Sequence, residues 1–532
     1  MAINQNTHIW LVGGGMASLS AAAFLIRDGG VAGKNIHILE ERHWLGGAIR
    51  DFQGEATGGD KPFWSMSGPW LSKRASSALW DLLASIPTLD DSGLSVRDAI
   101  IGFNDAHPLN ARARLIDRNH QILDASRLGL STRDRAEILR LMSMSERKIG
   151  AQRVEDVFSR HLLESPFWCL WQTTFGFENW HSAAELRRYL LRFFHEIPSL
   201  STLSGFYRPA LSLHDSVIRP LKAWLGDRGV ITETGVLVRD AEVVGEADQR
   251  RVERLVVVRE GKADTIEIGE SDRVLFTLGS MTSDASVVGT DGVPEIIRDR
   301  RDQGWTLWEN LARKAPEYGR PNAFRGNVDE SMGEIFTLSM KTPLLVDRIA
   351  QLTGNASGEG GIVTFRDSAW LLSISVPPHP HFVDAPSEIH TLTGQGLHLD
   401  AHGDYVHKRL PECTGREILQ EVLGQLGFSE LLNELLPKTE VTSVLLPYLS
   451  APLQRRALGE RPQVHPRGAE NFAFMGQFVE LEGDAAATVE YAVRSAMTAV
   501  YGLFDINRAI PGIYRGTSNL KVAWSAVRDA FD

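Results

Sequence analysis

Gly13, Gly14 and Gly15 stand between an apolar run, HIWLV, and a helical stretch, LSAAAFLIRDG. A glycine turn in that setting holds phosphate. The first glycine permits a tight turn, the next lets the backbone approach a pyrophosphate, and the helix N-terminus aims free N–H groups at the anion. Gly13 and Gly15 take these roles, with Met16 and Ala17 opening the helix and Ser18 where a third glycine is usual. A serine there is small enough for close helix–strand packing. Glu40 ends the next apolar run, NIHILE, where an acid accepts hydrogen bonds from a ribose diol. Gly46 and Gly47 follow in LEERHWLGG, an E-x5-G-G arrangement that brings a second glycine pair under the same pyrophosphate. Taken singly, the turn is an ordinary loop signal and Glu40 a solvated strand-end acid. Together they favour FAD over NAD, since NAD proteins have no need of the second pair.

Two later segments suit the same architecture. DRVLFTLGS reads as a strand returning to the first sheet, and NFAFMGQFVELEGD as a strand ending at Gly476 before a helix. Gly476, Glu480 and Asp484 are therefore assigned to the cofactor region, the alternative being a surface acid cluster.

The elements that must position these residues follow from periodicity. Strand, glycine turn, helix and strand over residues 8–40 form a βαβ unit. Residues 51–70 read as a Gly/Pro/Ser-rich loop near the cofactor. SALWDLLASI and the region 131–225 carry helical spacing, and 230–280 turns to strands. GNASGEGG is a loop, 363–398 reads as strands, and Thr414 opens the helix TGREILQEVLGQLGF. The expected fold class is α/β: a Rossmann-like FAD-binding flavoprotein fold with a β-rich substrate domain and helical additions. The expected division is 1–130 and 226–290 for the FAD domain, 131–225 for a helical region covering the substrate, and 291–440 for substrate binding. Residues 441–532 complete the FAD domain and carry the C-terminal helices.

Bulk properties narrow the function classes. The 532 residues are 43% apolar and 23% charged, as in ordinary globular proteins. A net charge of −11 gives no basis for nucleic-acid binding. Cys169 and Cys413 are far apart, show no metal-type spacing and suit a reducing compartment. There is no signal-peptide pattern at the N-terminus and no apolar run of spanning length. The expectation is a cytoplasmic protein without a metal, with peripheral membrane contact left open, and either a monomer or a homodimer.

Six dispersed segments resemble one family, the fatty acid (oleate) hydratases, once called myosin-cross-reactive antigens. They are VGGGMASLSAAAFLIRDG, LWDLLASIPTL, WQTTFGFENWHSAAELRRYLLRFFHEI, LFTLGSMTS, DYVHKRLPECTGREILQEVLGQLGF and NFAFMGQFVELEGDAAATVEYAVRSAM. They occur in the family's order. The resemblance implies FAD as a structural and electrostatic element. It also implies addition of water to a cis double bond of a long-chain unsaturated fatty acid, with no net redox change. Such chemistry needs a proton donor at one carbon, an oriented water at the other, and a dry pocket.

The sequence departs from the family at two places. The R-G-G-R-E-M loop is replaced by SGPWLS, which puts Leu71 in the glutamate column and leaves Gly68 of the glycine pair. The Y-N-Q-Y-[DE]-S segment is matched by LSLHDS, so the tyrosine columns hold Leu211 and His214. His214 is a candidate proton donor or water positioner because imidazole titrates near neutrality; the alternative is a hydrogen-bonded histidine at a helix start. Asp215 is read as the N-cap of SVIRPLKAWL. Glu55 and Asp60 are candidate carboxylates, or solvated loop acids, and Trp64 and Met66 are either tunnel lining or core. LLPYLSAPLQRR resembles the family's carboxylate-binding stretch, which makes Ser450 the anchoring hydroxyl and Arg455 or Arg456 a supporting cation. Three readings stand: a divergent hydratase, a flavin-dependent isomerase or redox enzyme on a related lipid, and a non-catalytic FAD- and lipid-binding protein.

Overall fold

Ile9–Val12 (β1) and Ile36–Glu40 (β2) lie side by side and parallel, joined by helix α1, Met16–Arg27. The structure is a computed structural model that describes residues 7–53, 63–66, 68, 70–90, 92–298 and 304–516. The strands are short and largely apolar because a parallel sheet covered on both faces has no side for polar residues. Five strands complete this sheet, in the order Phe472–Met475, Arg273–Thr277, β1, β2, Ile231–Thr234. The strand inferred from DRVLFTLGS does return beside β1, pairing Ile9 with Arg273 through Val12 with Phe276.

Helix α1 packs close because its inward residues are small. Ala21, Ala22 and Ala23 are buried, and the Ser18 hydroxyl lies 3.3 Å from that of Thr277. The late helix Val489–Leu503 packs against α1, and its start is capped by Thr488, whose hydroxyl accepts the N–H of Tyr491 (3.1 Å).

A three-stranded antiparallel meander, Val236–Glu246, Gln249–Arg259 and Lys262–Glu267, stands beside the parallel sheet. An eight-stranded sheet forms the second large layer. Its central strands are Thr439–Leu446, Gly333–Met340, His390–Gly396, Leu372–Ser375 and Ile362–Phe365, and Leu115–Ile116 joins it from early in the chain. Helices including Thr132–Ser143, Pro166–Phe175 and Ala183–Phe193 share a separate apolar core built on Trp168, Trp171 and Leu190. Helix Gly415–Leu426 starts where the sequence implies, with a capping box between Thr414 and Glu417.

One local reading is corrected. Asp215 does not cap the helix after it. The Ser212 hydroxyl accepts the N–H of Asp215 (3.1 Å), and the chain continues through a wide π turn, His214–Ile218, into Arg219–Gly226. The Asp215 carboxylate instead accepts the N–H of Val383 (2.9 Å), a long-range contact that competes with local capping.

Candidate functional site

The glycine turn is locked by hydrogen bonds that the spacing anticipates. Gly13 donates to the Leu39 carbonyl (2.8 Å), and Gly46 donates to that of Gly14 (2.9 Å), so the second glycine pair lies against the first. Gly13, Gly46 and Gly476 have φ of 93°, 118° and 101°, a region that L side chains rarely adopt. A methyl at Gly14 would fall 2.5 Å from Leu45, and one at Gly47 would fall 3.0 Å from the Gly15 Cα. Glu40 accepts the N–H of Gly14 (2.5 Å) through one oxygen and that of Arg42 (2.8 Å) through the other. Burial pushes its carboxyl up, opposed by these bonds. Each oxygen keeps a second lone pair for a ribose hydroxyl. Gly15 immediately precedes α1, so the free N–H groups of the first turn open into the space above the glycines. This cradle fits the pyrophosphate and ribose of a dinucleotide.

The cradle is one end of a cavity of about 580 Å³. Gly13, Gly15, Met16, Ala17, Glu40, Gly46, Gly47, Gly68 and Gly476 all line it. Glu480 and Asp484 do not; they stand behind it in a buried ion-pair network. Glu480 pairs with Arg188 (2.7 Å), and Asp484 lies 3.2 Å from both Arg192 and Arg494. Glu185 neutralises Arg456 and Arg461 at 2.8 and 2.9 Å, and these cations hold its carboxyl down at about 2 despite full burial. The network secures the segment after Gly476 against helix Ala183–Phe193.

Beyond the cradle the cavity runs between the eight-stranded sheet and the helical layer. Met66, Leu71, Phe175, Ile335, Phe336 and Ile374 give it apolar walls. Gly394 makes room for the Phe336 ring, which a methyl there would meet at 2.2 Å. Trp64 is not part of this wall; it stacks on Phe52 at 4.1 Å in a small core of its own. Leu71 is buried and lines the cavity, so the column that carries glutamate in the family pattern faces the chamber here with an apolar side chain.

His214 lies outside the cavity. Its Nε2 is 2.9 Å from Arg50 Nη1, and a guanidinium only donates, so Nε2 accepts and has no proton to deliver. Its Nδ1 faces Asp215 (3.6 Å) and Asp51 (3.9 Å). These three residues could together meet a metal, but Arg50 occupies the imidazole and the Ser212 hydroxyl donates to Asp51. Glu55 and Asp60 lie outside the described residues.

Ser450 also lines the cavity. Its neighbours are not the predicted cations. Arg455 faces Glu330 at 3.7 Å, and Arg456 is consumed by Glu185. The residues that do meet Ser450 come from the connector 176–182 between helices Pro166–Phe175 and Ala183–Phe193. His181 Nε2 lies 3.1 Å from Ser450 Oγ, and Glu178 lines the cavity beside it. His181 Nδ1 accepts the Glu178 N–H (2.9 Å), so Nε2 carries the hydrogen and donates to Ser450. Full burial lowers the His181 pKa to about 3, leaving it neutral. Burial, with Asp400 nearby, pushes the Glu178 carboxyl up to about 8. The connector is pinned by Trp168 donating to Asn179 (2.7 Å), Trp180 donating to the Glu330 carbonyl (3.0 Å), and Ser182 N–H donating to that of Leu453 (2.9 Å). Sequence reasoning missed Glu178 and His181, although both lie within WQTTFGFENWHSAAELRRYLLRFFHEI.

Comparison with known proteins agrees with this geometry. Among solved structures, a putrescine oxidase aligns with a TM-score of 0.53 at 13% identity, covering 94% of this chain and 99% of that one. Cyclohexylamine oxidase from Brevibacterium oxydans IH-35A aligns at 0.52 and 12% identity, with the same coverage. At such identities they establish a shared fold. An oleate hydratase of Streptococcus pyogenes serotype M49 (strain NZ131) is 33% identical over 515 residues, 94% of this chain and 86% of the relative. A linoleate hydratase of Lactiplantibacillus plantarum is 29% identical over 530 residues, 92% of each. The MCRA family pattern matches residues 6–501, and the chain belongs to the MCRA family.

Proposed function

We propose that this protein binds FAD and adds water across a cis double bond of a long-chain unsaturated fatty acid, yielding a hydroxy fatty acid without net redox. The observation that carries the reading is the one cavity that joins the dinucleotide cradle to an apolar chamber, with Ser450 among its lining residues. Beyond the cradle, walls made by Met66, Leu71, Phe175, Ile335, Phe336 and Ile374 suit an apolar ligand. The oleate and linoleate hydratase relatives supply the substrate class.

FAD would lie on Gly13–Ala17, Gly46 and Gly47 with its ribose at Glu40, and when bound it supplies an electrostatic surface at the chamber's inner end. Met66, Leu71 and Ile335 exclude bulk water from the chain, which strengthens each proton transfer inside. His181 holds the Ser450 hydroxyl, and Glu178 holds a proton at neutral pH. The proposal includes a cytoplasmic location with substrate drawn from a membrane surface. It is supported by two buried, unpaired cysteines and the lipid nature of the substrate. Among the described residues no helix is long and apolar enough to cross a membrane.

Leu71 favours a second reading. A leucine lining the chamber at that column removes one acid–base group, and a helper of that kind contributes about 10²–10⁴-fold. The scaffold would then move a double bond or only hold lipid. Incubating FAD-loaded protein with oleate and linoleate and weighing the products decides. A gain of one water supports hydration, an unchanged mass with a moved double bond supports isomerisation, and unaltered substrate supports binding alone.

A further inference from the structure

We infer that the sheet floor of the cavity holds a subsite for a hydroxyl group on the acyl chain, formed by Ser373, Ser375, Thr393, Gln395 and Thr337. The inference rests on the proposed function, in that a fatty chain occupies this cavity. The five residues come from three neighbouring strands of the eight-stranded sheet, Leu372–Ser375, His390–Gly396 and Gly333–Met340. Side chains alternate between the faces of a strand, so register decides which of them meet. Ser373 stands beside Gln395, and Ser375 beside Thr393, which has Thr337 on its other side. All five line the cavity.

These polar groups have no work within the protein. Among the described residues the side chains of Ser373, Ser375, Gln395 and Thr337 make no hydrogen bond, and their polar atoms are not sealed from the cavity. Ser373 and Thr337 are 2% and 3% exposed, so the space they face is the cavity and not the outer surface. The Thr393 hydroxyl reaches no nearer acceptor than the Ser375 carbonyl, at 3.5 Å. One strand further, Thr364 pairs with Ser373 in register but does not line the cavity, and its hydroxyl donates to that of Thr173 (2.9 Å).

The chemistry of the row selects its ligand. A plain hydrocarbon chain laid over it would leave buried hydroxyls and an amide unpaired, which is costly. A carboxylate is not matched either, because none of the cavity residues on these three strands is charged. A hydroxyl both donates and accepts, and so do serine, threonine and glutamine side chains. Such a hydroxyl has two sources. It is one that the substrate already carries, or the one that hydration installs.

The test is equilibrium dialysis of the FAD-loaded protein against octadecanoic acid and its derivatives hydroxylated at carbon 10 or at carbon 12. The expected result is that at least one hydroxy acid binds about tenfold more tightly than octadecanoic acid, or better. The double variant Ser373→Ala, Gln395→Leu should lose that preference while binding octadecanoic acid at least as well. Tightest binding of the carbon 10 acid, hydroxylated at one end of the oleate double bond, assigns the hydroxyl to the product. Tightest binding of the carbon 12 acid assigns it to the substrate, and either supports the subsite. Equal affinity of the natural protein for all three acids, or an unchanged preference in the double variant, overturns the inference while leaving the fatty acid reading intact. Loss of flavin from a folded double variant assigns the row to the cofactor and overturns it as well. If the double variant does not fold, Ser373→Ala alone is held to the same criterion. Failure of the natural protein to bind any of the three acids overturns the fatty acid reading and this inference with it.

Discussion

His181 donates its Nε2–H to the hydroxyl of Ser450 across 3.1 Å and 269 residues of chain. The bond joins the helical layer to the turn after the eight-stranded sheet, at the cavity wall.

Removing the acceptor should therefore cost more than one ordinary contact. Ser450→Ala leaves a buried imidazole N–H without its partner, at about 1–3 kcal/mol. Urea unfolding should show that loss, together with a raised KM for fatty acid. Ser450→Thr, which keeps the hydroxyl, should recover most of both. An alanine variant of unchanged stability would mean that His181 finds another acceptor.

The cradle makes a prediction about FAD. Gly14→Ala drives a methyl into Leu45 and Glu40, and Glu40→Ala removes the ribose acceptor. Gly15→Val obstructs the close approach of the backbone to the pyrophosphate. Each should weaken FAD binding at least about tenfold, roughly 1.4 kcal/mol, in a flavin fluorescence titration. Unchanged affinity in all three would remove the site assignment.

The buried network behind the cradle should be sensitive to loss of one partner. Glu185→Ala leaves Arg456 and Arg461 buried without their carboxylate, a loss of about 3–5 kcal/mol. The Glu185 carboxyl lies lower in the folded state than unfolded, so its contribution is present above its unfolded value and lost as pH falls toward about 2. The difference between natural and variant proteins in urea midpoint should therefore shrink on acidification.

Glu178 acts in the opposite direction. Its folded pKa of about 8 lies above the ordinary carboxyl value, so the folded state holds the extra proton over the intervening range and stability falls as pH rises through it. Glu178→Gln should therefore be more stable than the natural protein near pH 8–9, on the order of a few kcal/mol, and close to it near pH 5. Thermal unfolding at both pH values checks this; a variant less stable at high pH would contradict it.

The parts legible in the sequence are those fixed by short-range spacing. Gly13, Glu40 and Gly46 lie within one βαβ unit, and their hydrogen bonds close locally. Thr414 and Glu417 cap a helix for the same reason. The contacts around Ser450 were not legible. Glu178 and His181 lie on a connector with no periodicity, and their burial depends on Glu330, His398 and Ser450, which arrive from three distant segments. The same distance effect misdirected the basic pair. Arg455 and Arg456 read as anchors beside Ser450, yet Glu330 and Glu185 claim them. His214 occupied the right column of the family pattern, but the contact that occupies its Nε2 comes from Arg50, 164 residues earlier.

The most direct test of hydration is to incubate FAD-loaded protein with oleate in oxygen-18 water and analyse the product by mass spectrometry. The account predicts a hydroxy fatty acid heavier than oleate by one labelled water, with the label on the new hydroxyl and the flavin's redox state unchanged. A product of unchanged mass, an oxidised product without the label, or untouched oleate and linoleate alike would contradict it.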